Sequence, residues 1–148
     1  MKKFAFAAAA VSLLAAPASA QRNFDDVQIT TEEIAPGIAV LFGAGGNIGV
    51  SHGEDGTILI DDQFAPLTGK IQTAIAELGA SPVKFLINTH WHFDHTGGNE
   101  NFGKEGALIF AHHNVRARMA AGGTAAGNPT PPAPDIALPV VTYEQGVR

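Results

Sequence analysis

The chain has 148 residues, of which 45% are hydrophobic and 16% charged, and this composition indicates one globular domain rather than a disordered segment. Its formal net charge of −5 disfavours nucleic acid and anionic membrane surfaces as partners. It contains no cysteine, so no disulfide stabilises the fold.

The first twenty residues have the pattern of a secretory signal peptide. Two lysines at positions 2 and 3 are followed by an uninterrupted run of apolar and small residues, 4–16, and then by the small-x-small cleavage site Ala-Ser-Ala at 18–20. The apolar run is too short to span a bilayer comfortably, which disfavours the alternative of an N-terminal anchor. We therefore expect cleavage after Ala20 and a mature domain over 21–148, periplasmic or secreted in a bacterium, without stable membrane association.

The segment from 27 to 60 predicts an antiparallel meander. Strands are expected at residues 27–30, 38–42, 47–51 and 57–60. Turns are expected at Pro36-Gly37 and at Glu54-Asp55-Gly56, which would close a hairpin. The glycine-rich bend Gly43–Gly46 lacks the spacing of a phosphate-binding loop and is interpreted as a turn. His52, beside the hairpin, is interpreted as structural.

A helix and a buried strand are predicted next. Thr68 is placed to cap a helix with apolar residues at i, i+3, i+4 and i+7, namely Ile71, Ala74, Ile75 and Leu78. Gly79 ends this helix, and Pro82 prevents its resumption. The apolar run Val83–Asn88 then has the pattern of a strand in a layered α/β unit.

The residues after this strand carry the most specific chemistry of the chain. The stretch 89–99 reads THWHFDHTGGN and contains three of the six histidines. His90 and His92 lie two positions apart, so on an extended backbone both imidazoles leave the same side, and Trp91 and Phe93 point towards the core.

Asp94 and His95 follow where the chain is expected to turn, because Gly97-Gly98 permits backbone angles that other residues avoid. Imidazole nitrogen and carboxylate oxygen are zinc ligands, so one extended pair and one turned pair can face two adjacent metal positions. An exposed histidine cluster or a stacked core patch is the structural alternative, but it gives the carboxylate and the Gly-Gly turn no role.

The remaining elements are less informative. Residues 99–106 are interpreted as a polar connection, 107–111 as a buried strand, 122–134 as a loop or mobile segment, and 140–143 as a strand. His112 and His113 open a helix that continues to Ala121. Adjacent helical residues point about 100° apart and rarely share one metal, so these two histidines are predicted to be structural or capping residues.

The pattern His-x-His-x-Asp-His with its trailing Gly-Gly-Asn resembles the signature of the metallo-β-lactamase fold hydrolases. The resemblance implies an α/β (α+β) chain with an αβ/βα sandwich and a dinuclear metal site at one edge. By position, His90 and His92 would bind the first metal, and Asp94 and His95 the second. Asp61, after the strand 57–60, would support the metal-binding loop by accepting the free N–H of a ligand histidine. Asp62 has no comparable argument.

The resemblance also implies a reaction. Two zinc ions, with iron as an alternative, would generate a hydroxide that attacks a carbonyl, ester, thioester or lactam-type bond of a small-molecule substrate. Asp94 would act as the catalytic carboxylate that orients this hydroxide and takes up its proton. A cysteine-free lactamase, a glyoxalase-II-like thioesterase and a lactonase all remain open, as do an iron-dependent redox member of the fold and an inactive metal-binding fragment.

The resemblance covers only the amino-terminal half to two-thirds of the family domain. Family members have further ligands downstream, but no histidine follows His113 here, and Asp135 and Glu144 are the only later carboxylates. We therefore expect a domain that is incomplete at its C-terminus and belongs to a longer reading frame. Without most of its second sheet, the sandwich should expose an apolar face.

Overall fold

The fold is described by a computed structural model over residues 23–146, so the predicted signal peptide, 1–20, lies outside the described residues. The strands of the described part are β1 Thr30–Ala35, β2 Ile38–Phe42, β3 Ile48–Gly53, β4 Gly56–Ile60, β5 Val83–Asn88, β6 Leu108–His112, β7 Gly123–Ala125, β8 Asn128–Thr130 and β9 Val141–Tyr143. Its α-helices are α1 Thr68–Glu77, α2 Phe93–Thr96, α3 Asn99–Lys104 and α4 His113–Ala121. None of these helices has the length and apolar character needed to cross a membrane.

One mixed sheet with strand order β1-β2-β3-β4-β5-β6-β9 dominates the described residues. Strands β1 to β4 are antiparallel neighbours, as the predicted meander requires. From β4 onwards the neighbours β5, β6 and β9 are parallel, because helical connections return the chain to the same end of the sheet. The carboxyl ends of β4, β5 and β6 therefore share one edge.

The main core lies between one face of the sheet and helices α1 and α3. Alternate strand residues point to this face, and Leu59, Leu86 and Ile109 are almost fully buried there. They belong to one cluster with Ile71 of α1 and Phe102 of α3. Burial of these side chains holds the parallel strands in register, and so sets the relative positions of the loops that follow them.

The opposite face of the sheet is apolar and open, as the incomplete sandwich predicts. Ile60 and Leu108 are 42% and 46% exposed. A groove of about 460 Å³ on this face is lined by Ile58, Phe85, Ile87, Phe110, Tyr143 and Gly146. The strand β5, predicted as a buried strand, is therefore covered on one face only.

Two predictions about element boundaries are wrong. Strand β1 begins at Thr30 rather than at residue 27, and its six residues are all exposed. Helix α1 has Leu67 as its N-cap residue, and no side chain caps it. The hydroxyl of Thr68 instead accepts a hydrogen bond of 3.0 Å from the Asn101 amide of α3. Tertiary contact with α3 thus replaces the predicted local cap.

Two segments without a predicted helix or strand contain regular secondary structure. Residues 99–104 form helix α3, whose Asn99 and Phe102 are buried. Within 122–134 the chain forms the β7–β8 hairpin, where Ala125 is only 1% exposed. The amide of Ala133 donates to the carbonyl oxygen of Met119, which ties the end of this segment to α4. The glycine and proline content predicted turns correctly, but it did not predict the hairpin or the contacts with α4 that lie between those turns.

Candidate metal centre

The histidine motif follows β5 directly, at the sheet edge where Asp61 follows β4. The amide of Asp61 donates to the carbonyl oxygen of Ile87 over 2.9 Å, which extends the parallel pairing up to the motif. Asp61 has a φ of 62°, a conformation that few non-glycine residues adopt. This backbone conformation belongs to the turn that leaves β4 beside the motif.

The three motif histidines lie side by side, which the spacing predicted for His90 and His92 only. The ring centroid of His90 lies 4.6 Å from that of His92 and 4.0 Å from that of His95. Trp91 packs against the smaller apolar cluster around α4, and Phe93 packs against the main core. Trp91 and Phe93 thus face apolar clusters as predicted, whereas His92 is not part of the close ligand group that Asp61, His90 and His95 form among the described residues.

Asp61 accepts hydrogen bonds from two residues of the motif region. Its Oδ1 accepts from the amide of Thr89 over 2.8 Å, and its Oδ2 accepts from the Thr89 hydroxyl over 2.7 Å. The same Oδ2 lies 2.8 Å from Nδ1 of His95, so this ring nitrogen is the donor. The side chain of Asp61 is only 6% exposed, and its carboxylate therefore links β4 to both ends of the motif.

The Thr89 hydroxyl extends this network to a second histidine. It lies 3.0 Å from Nδ1 of His90 and has only one proton, which it donates to Asp61. The Nδ1 of His90 is then the donor to Thr89, as the Nδ1 of His95 is to Asp61. In both rings Nε2 is left with a free lone pair, which is the form that binds a metal.

The ligand atoms offered by Asp61, His90 and His95 all lie within 4.8 Å of one another. The Oδ2 of Asp94 lies 3.6 Å from Nε2 of His95, so this carboxylate borders the same space. Partial burial, followed by the neighbouring imidazoles of His95 and His92, lowers the pKa of His90 below its ordinary value. A neutral imidazole is the form that metal binding requires.

The two glycines of the motif are required for a different reason from the predicted one. Gly97 and Gly98 have φ values of −67° and −82°, which any residue adopts. A Cβ at Gly97 would lie 2.7 Å from the carbonyl oxygen of Gln63, and one at Gly98 would lie 3.0 Å from Cγ of Asp62. The absence of a side chain thus permits close packing against the residues after β4.

Comparison with known proteins agrees with this geometry. The sequence profile of the metallo-beta-lactamase superfamily matches residues 41–146. The chain belongs to the metallo-β-lactamase superfamily. A search of curated proteins finds no significant match.

Solved metallo-β-lactamases share the fold. BJP-1, a subclass B3 metallo-β-lactamase of Bradyrhizobium japonicum, is 26% identical, with a TM-score of 0.66 over 80% of this chain and 46% of that one. The Cronobacter sakazakii metallo-β-lactamase with the HARLDQ motif is 23% identical, with a TM-score of 0.68 over 81% and 48%. FIM-1 of Pseudomonas aeruginosa, solved in a mono-zinc form, is 21% identical, with a TM-score of 0.57 over 63% and 46%. The chain spans less than half the length of these solved relatives.

Of the histidines outside the motif, His112 has the capping role that the sequence predicted. His112 is the N-cap residue of α4, and its Nδ1 accepts a hydrogen bond from the amide of Asn114. Its Nε2 lies 3.0 Å from the carbonyl oxygen of Glu144, beyond β9. His52 lies on β3, away from the metallo-β-lactamase motif, and its buried Nε2 has no hydrogen-bond partner among the described residues.

Sequence reasoning missed several polar residues beneath the metallo-β-lactamase motif. Asp62, Gln63, Asn88 and Asn99 are buried and Thr89 is exposed, and each makes hydrogen bonds that hold the motif or its supporting turn. For Asp62, Gln63 and Thr89 the sequence did contain a signal. These residues directly follow strands β4 and β5, and the carboxyl ends of such strands are where α/β sheets bind ligands.

Asp62 is the most unusual of these residues. It is fully buried, its Oδ1 accepts from the amide of Gly98 over 2.9 Å, and its Oδ2 has no hydrogen-bond partner among the described residues. Burial raises the pKa of Asp62 well above its ordinary value, the Gly98 amide opposes this, and the charge of Asp61 adds to it. The folded chain therefore holds a proton on Asp62 that the unfolded chain releases above about pH 4.

We expect Asp62→Asn to change the pH dependence of stability. A raised folded-state pKa contributes stability that is complete below about pH 4 and is lost as the pH rises towards the folded-state pKa. The asparagine variant keeps the acceptor for Gly98 without this titration, so its free energy of unfolding should increase relative to the wild type as the pH rises. Urea unfolding with a chelator present, from pH 4 to pH 8, measures this difference. A constant difference between the two proteins would show that Asp62 is ionised throughout.

Proposed function

We propose that the chain forms the amino-terminal part of the metal centre of a metal-dependent hydrolase. In this proposal His90 and His92 bind one metal ion, and Asp94 and His95 bind a second. The observation that carries the proposal is the hydrogen-bond network of Asp61 and Thr89, which engages Nδ1 of His90 and of His95 and leaves Nε2 available in two rings whose centroids lie 4.0 Å apart.

The donor set fits zinc. Three imidazoles and one carboxylate offer nitrogen and oxygen ligands, which zinc accepts, and iron accepts the same set. In such sites a ligand histidine usually donates the N–H of its other ring nitrogen to a carboxylate. Nδ1 of His95 donates in this way to Oδ2 of Asp61 over 2.8 Å. A zinc-bound form of one solved relative of the fold is consistent with this choice of metal.

The chemistry follows from the metal and from the residues beside it. A bound divalent ion polarises a carbonyl oxygen and lowers the pKa of water to near 7. Asp94 is partly exposed, with 28% of its side chain accessible, so its Oδ2 can hold a proton taken from the attacking water. Asp61 and Thr89 fix the two histidine rings, so that neither must reorient during the reaction.

We propose that the whole protein hydrolyses a lactam, ester, thioester or lactone bond. Structural likeness to several metallo-β-lactamases, one of them 26% identical, favours a lactam among these substrates. Further ligands from a downstream segment would complete the site, because two protein ligands for each metal are too few for a catalytic zinc. Export after cleavage at Ala20 would place the enzyme in the periplasm or outside the cell.

Substitution of Asp94 tests this proposal. In the longest form of the protein that the native cell produces, Asp94→Ala should reduce kcat for the hydrolysed substrate by about 100-fold to 10,000-fold, because a positioned general base contributes that much. Chromogenic lactam, thioester and lactone substrates serve as probes, and metal content is measured by mass spectrometry. The matched control is Asp55→Ala, which removes an exposed carboxylate from the β3–β4 turn and should leave kcat unchanged.

The same preparation separates the alternatives. Full turnover by a folded Asp94→Ala protein would contradict the assigned role of this carboxylate. Bound iron together with oxygen uptake would replace hydrolysis by redox chemistry. If the wild type binds metal but turns over none of the probes, the result would support the alternative of a metal-binding chain without enzymatic activity.

A further inference from the structure

The bend Gly43–Gly46 packs directly against the last two residues of the predicted ligand set. A Cβ at Gly45 would lie 2.8 Å from Cβ of Asp94, and one at Gly46 would lie 2.3 Å from Cε1 of His95. Gly45 also has a φ of 83°, which favours glycine. The bend therefore forms a wall of the metal centre rather than a remote turn between strands.

One side chain holds this wall in place. Gln63 is fully buried, its Nε2 donates to the carbonyl oxygen of Gly46 over 2.5 Å, and its Oε1 accepts from the amide of Ala44 over 3.2 Å. Its own carbonyl oxygen accepts from the amide of Gly97 over 2.8 Å. Gln63 thus connects the bend to the turn that follows the motif.

The arrangement restricts the ring of His95 from two directions. Asp61 receives the ring's Nδ1–H over 2.8 Å, and the backbone of Gly46 lies against the ring near Cε1. Gln63 also has a φ of 54°, a strained backbone conformation for a residue other than glycine. Strain at a fully buried amide that satisfies two backbone groups is consistent with a role in holding the site.

We propose that Gln63 is a positioning residue of the metal centre. By holding the bend Gly43–Gly46 against His95 and Asp94, it keeps the Nε2 lone pair of His95 directed at the metal position. This inference rests on the proposed function only in taking a metal ion as the group that binds Nε2 of His95. The position and the tautomer of the ring belong to the metal-free chain as well.

Gln63→Asn tests the proposal with little change in chemistry. Asparagine keeps the amide and tolerates a positive φ, but it is one methylene shorter and cannot reach both Ala44 and Gly46. We expect Co²⁺ affinity to fall about 10-fold or more and the d–d spectrum to change, as when a ligand histidine loses its support. In the metal-free protein the ring ¹⁵N signals of His95 should shift towards a mixture of tautomers.

Gly46→Ala provides a second variant, because its new methyl group must displace the His95 ring without altering Gln63. The matched control is Gly53→Ala, since a Cβ there meets nothing within 4 Å. We expect Gly46→Ala to reduce Co²⁺ affinity as Gln63→Asn does, and Gly53→Ala to leave it unchanged.

Two results would overturn the proposal. One is a Gln63→Asn protein with a lower Tm but with wild-type Co²⁺ affinity, spectrum and His95 ¹⁵N shifts, which is the outcome for a purely structural residue. The other is a Gly46→Ala protein with unchanged His95 signals. A wild-type chain that binds no Co²⁺ would instead contradict the proposed function, and the metal-free His95 signals would still decide the role of Gln63.

Discussion

Asp61→Asn is expected to weaken metal binding about 10-fold to 100-fold, because residues that orient ligand histidines typically contribute this much. Asp61 accepts from Thr89 at both oxygens and from His95 at one of them. In either orientation of the asparagine amide, its NH₂ group faces a hydrogen-bond donor of Thr89 or His95 and cannot accept from it. The rings of His90 and His95 then lose the arrangement that leaves each Nε2 without a proton. Titration with Zn²⁺ in a calorimeter measures the change.

The backbone conformation at position 61 should have little effect on the metal affinity of this variant. Asparagine adopts positive φ values readily, so the φ of 62° at Asp61 does not penalise the variant. The control is Asp55→Asn, an isosteric change at an exposed turn that should leave the affinity within about 2-fold of the wild type. If Asp61→Asn binds Zn²⁺ as the wild type does, the carboxylate neither orients His95 nor contributes to the metal centre.

Asn99→Ala is expected to cause the largest loss of stability among single substitutions near the motif. Asn88 and Asn99 are fully buried and exchange two hydrogen bonds of 2.9 Å, and Asn99 donates a third, of 2.8 Å, to the carbonyl oxygen of Ala137. Alanine leaves these partners unsatisfied, at about 1–3 kcal/mol for each buried group. We expect the free energy of unfolding to fall by about 3–5 kcal/mol, which urea denaturation can measure.

A double-mutant cycle separates the pair from its surroundings. The variant lacking both amides should lose less stability than the summed losses of the two single alanine variants. Each single variant leaves the remaining amide buried without its hydrogen-bond partner. Asn101→Ala serves as the control within α3, since its amide bonds are longer and its loss should cost about 1 kcal/mol. Additive losses for Asn88 and Asn99 would show that the two amides do not depend on each other.

Local pattern predicted much of the fold. The hairpin Glu54–Gly56, the strand β5 and the helix ending before Gly79 all agree with the structure, because turn glycines and apolar periodicity act over a few residues. The helix α3 was missed because its sequence is polar and glycine-bounded. Its stability comes from Phe102 and Asn99, which contact partners distant in the chain.

The sequence by itself predicted the superfamily, which the matching family model shows. The types and spacing of His90, His92, Asp94 and His95 predicted a metal motif, since ligand preference is a property of side chains and short-range geometry. Only the tertiary structure decided how these residues are held. Asp61 contacts His95 across 34 positions, and Gln63 contacts Gly46 across 17. Asp61 meets His95 because β4 and β5 are parallel and end on the same side of the sheet, and Gln63 meets Gly46 because β3, which begins after Gly46, is antiparallel to β4. No local pattern predicts either contact.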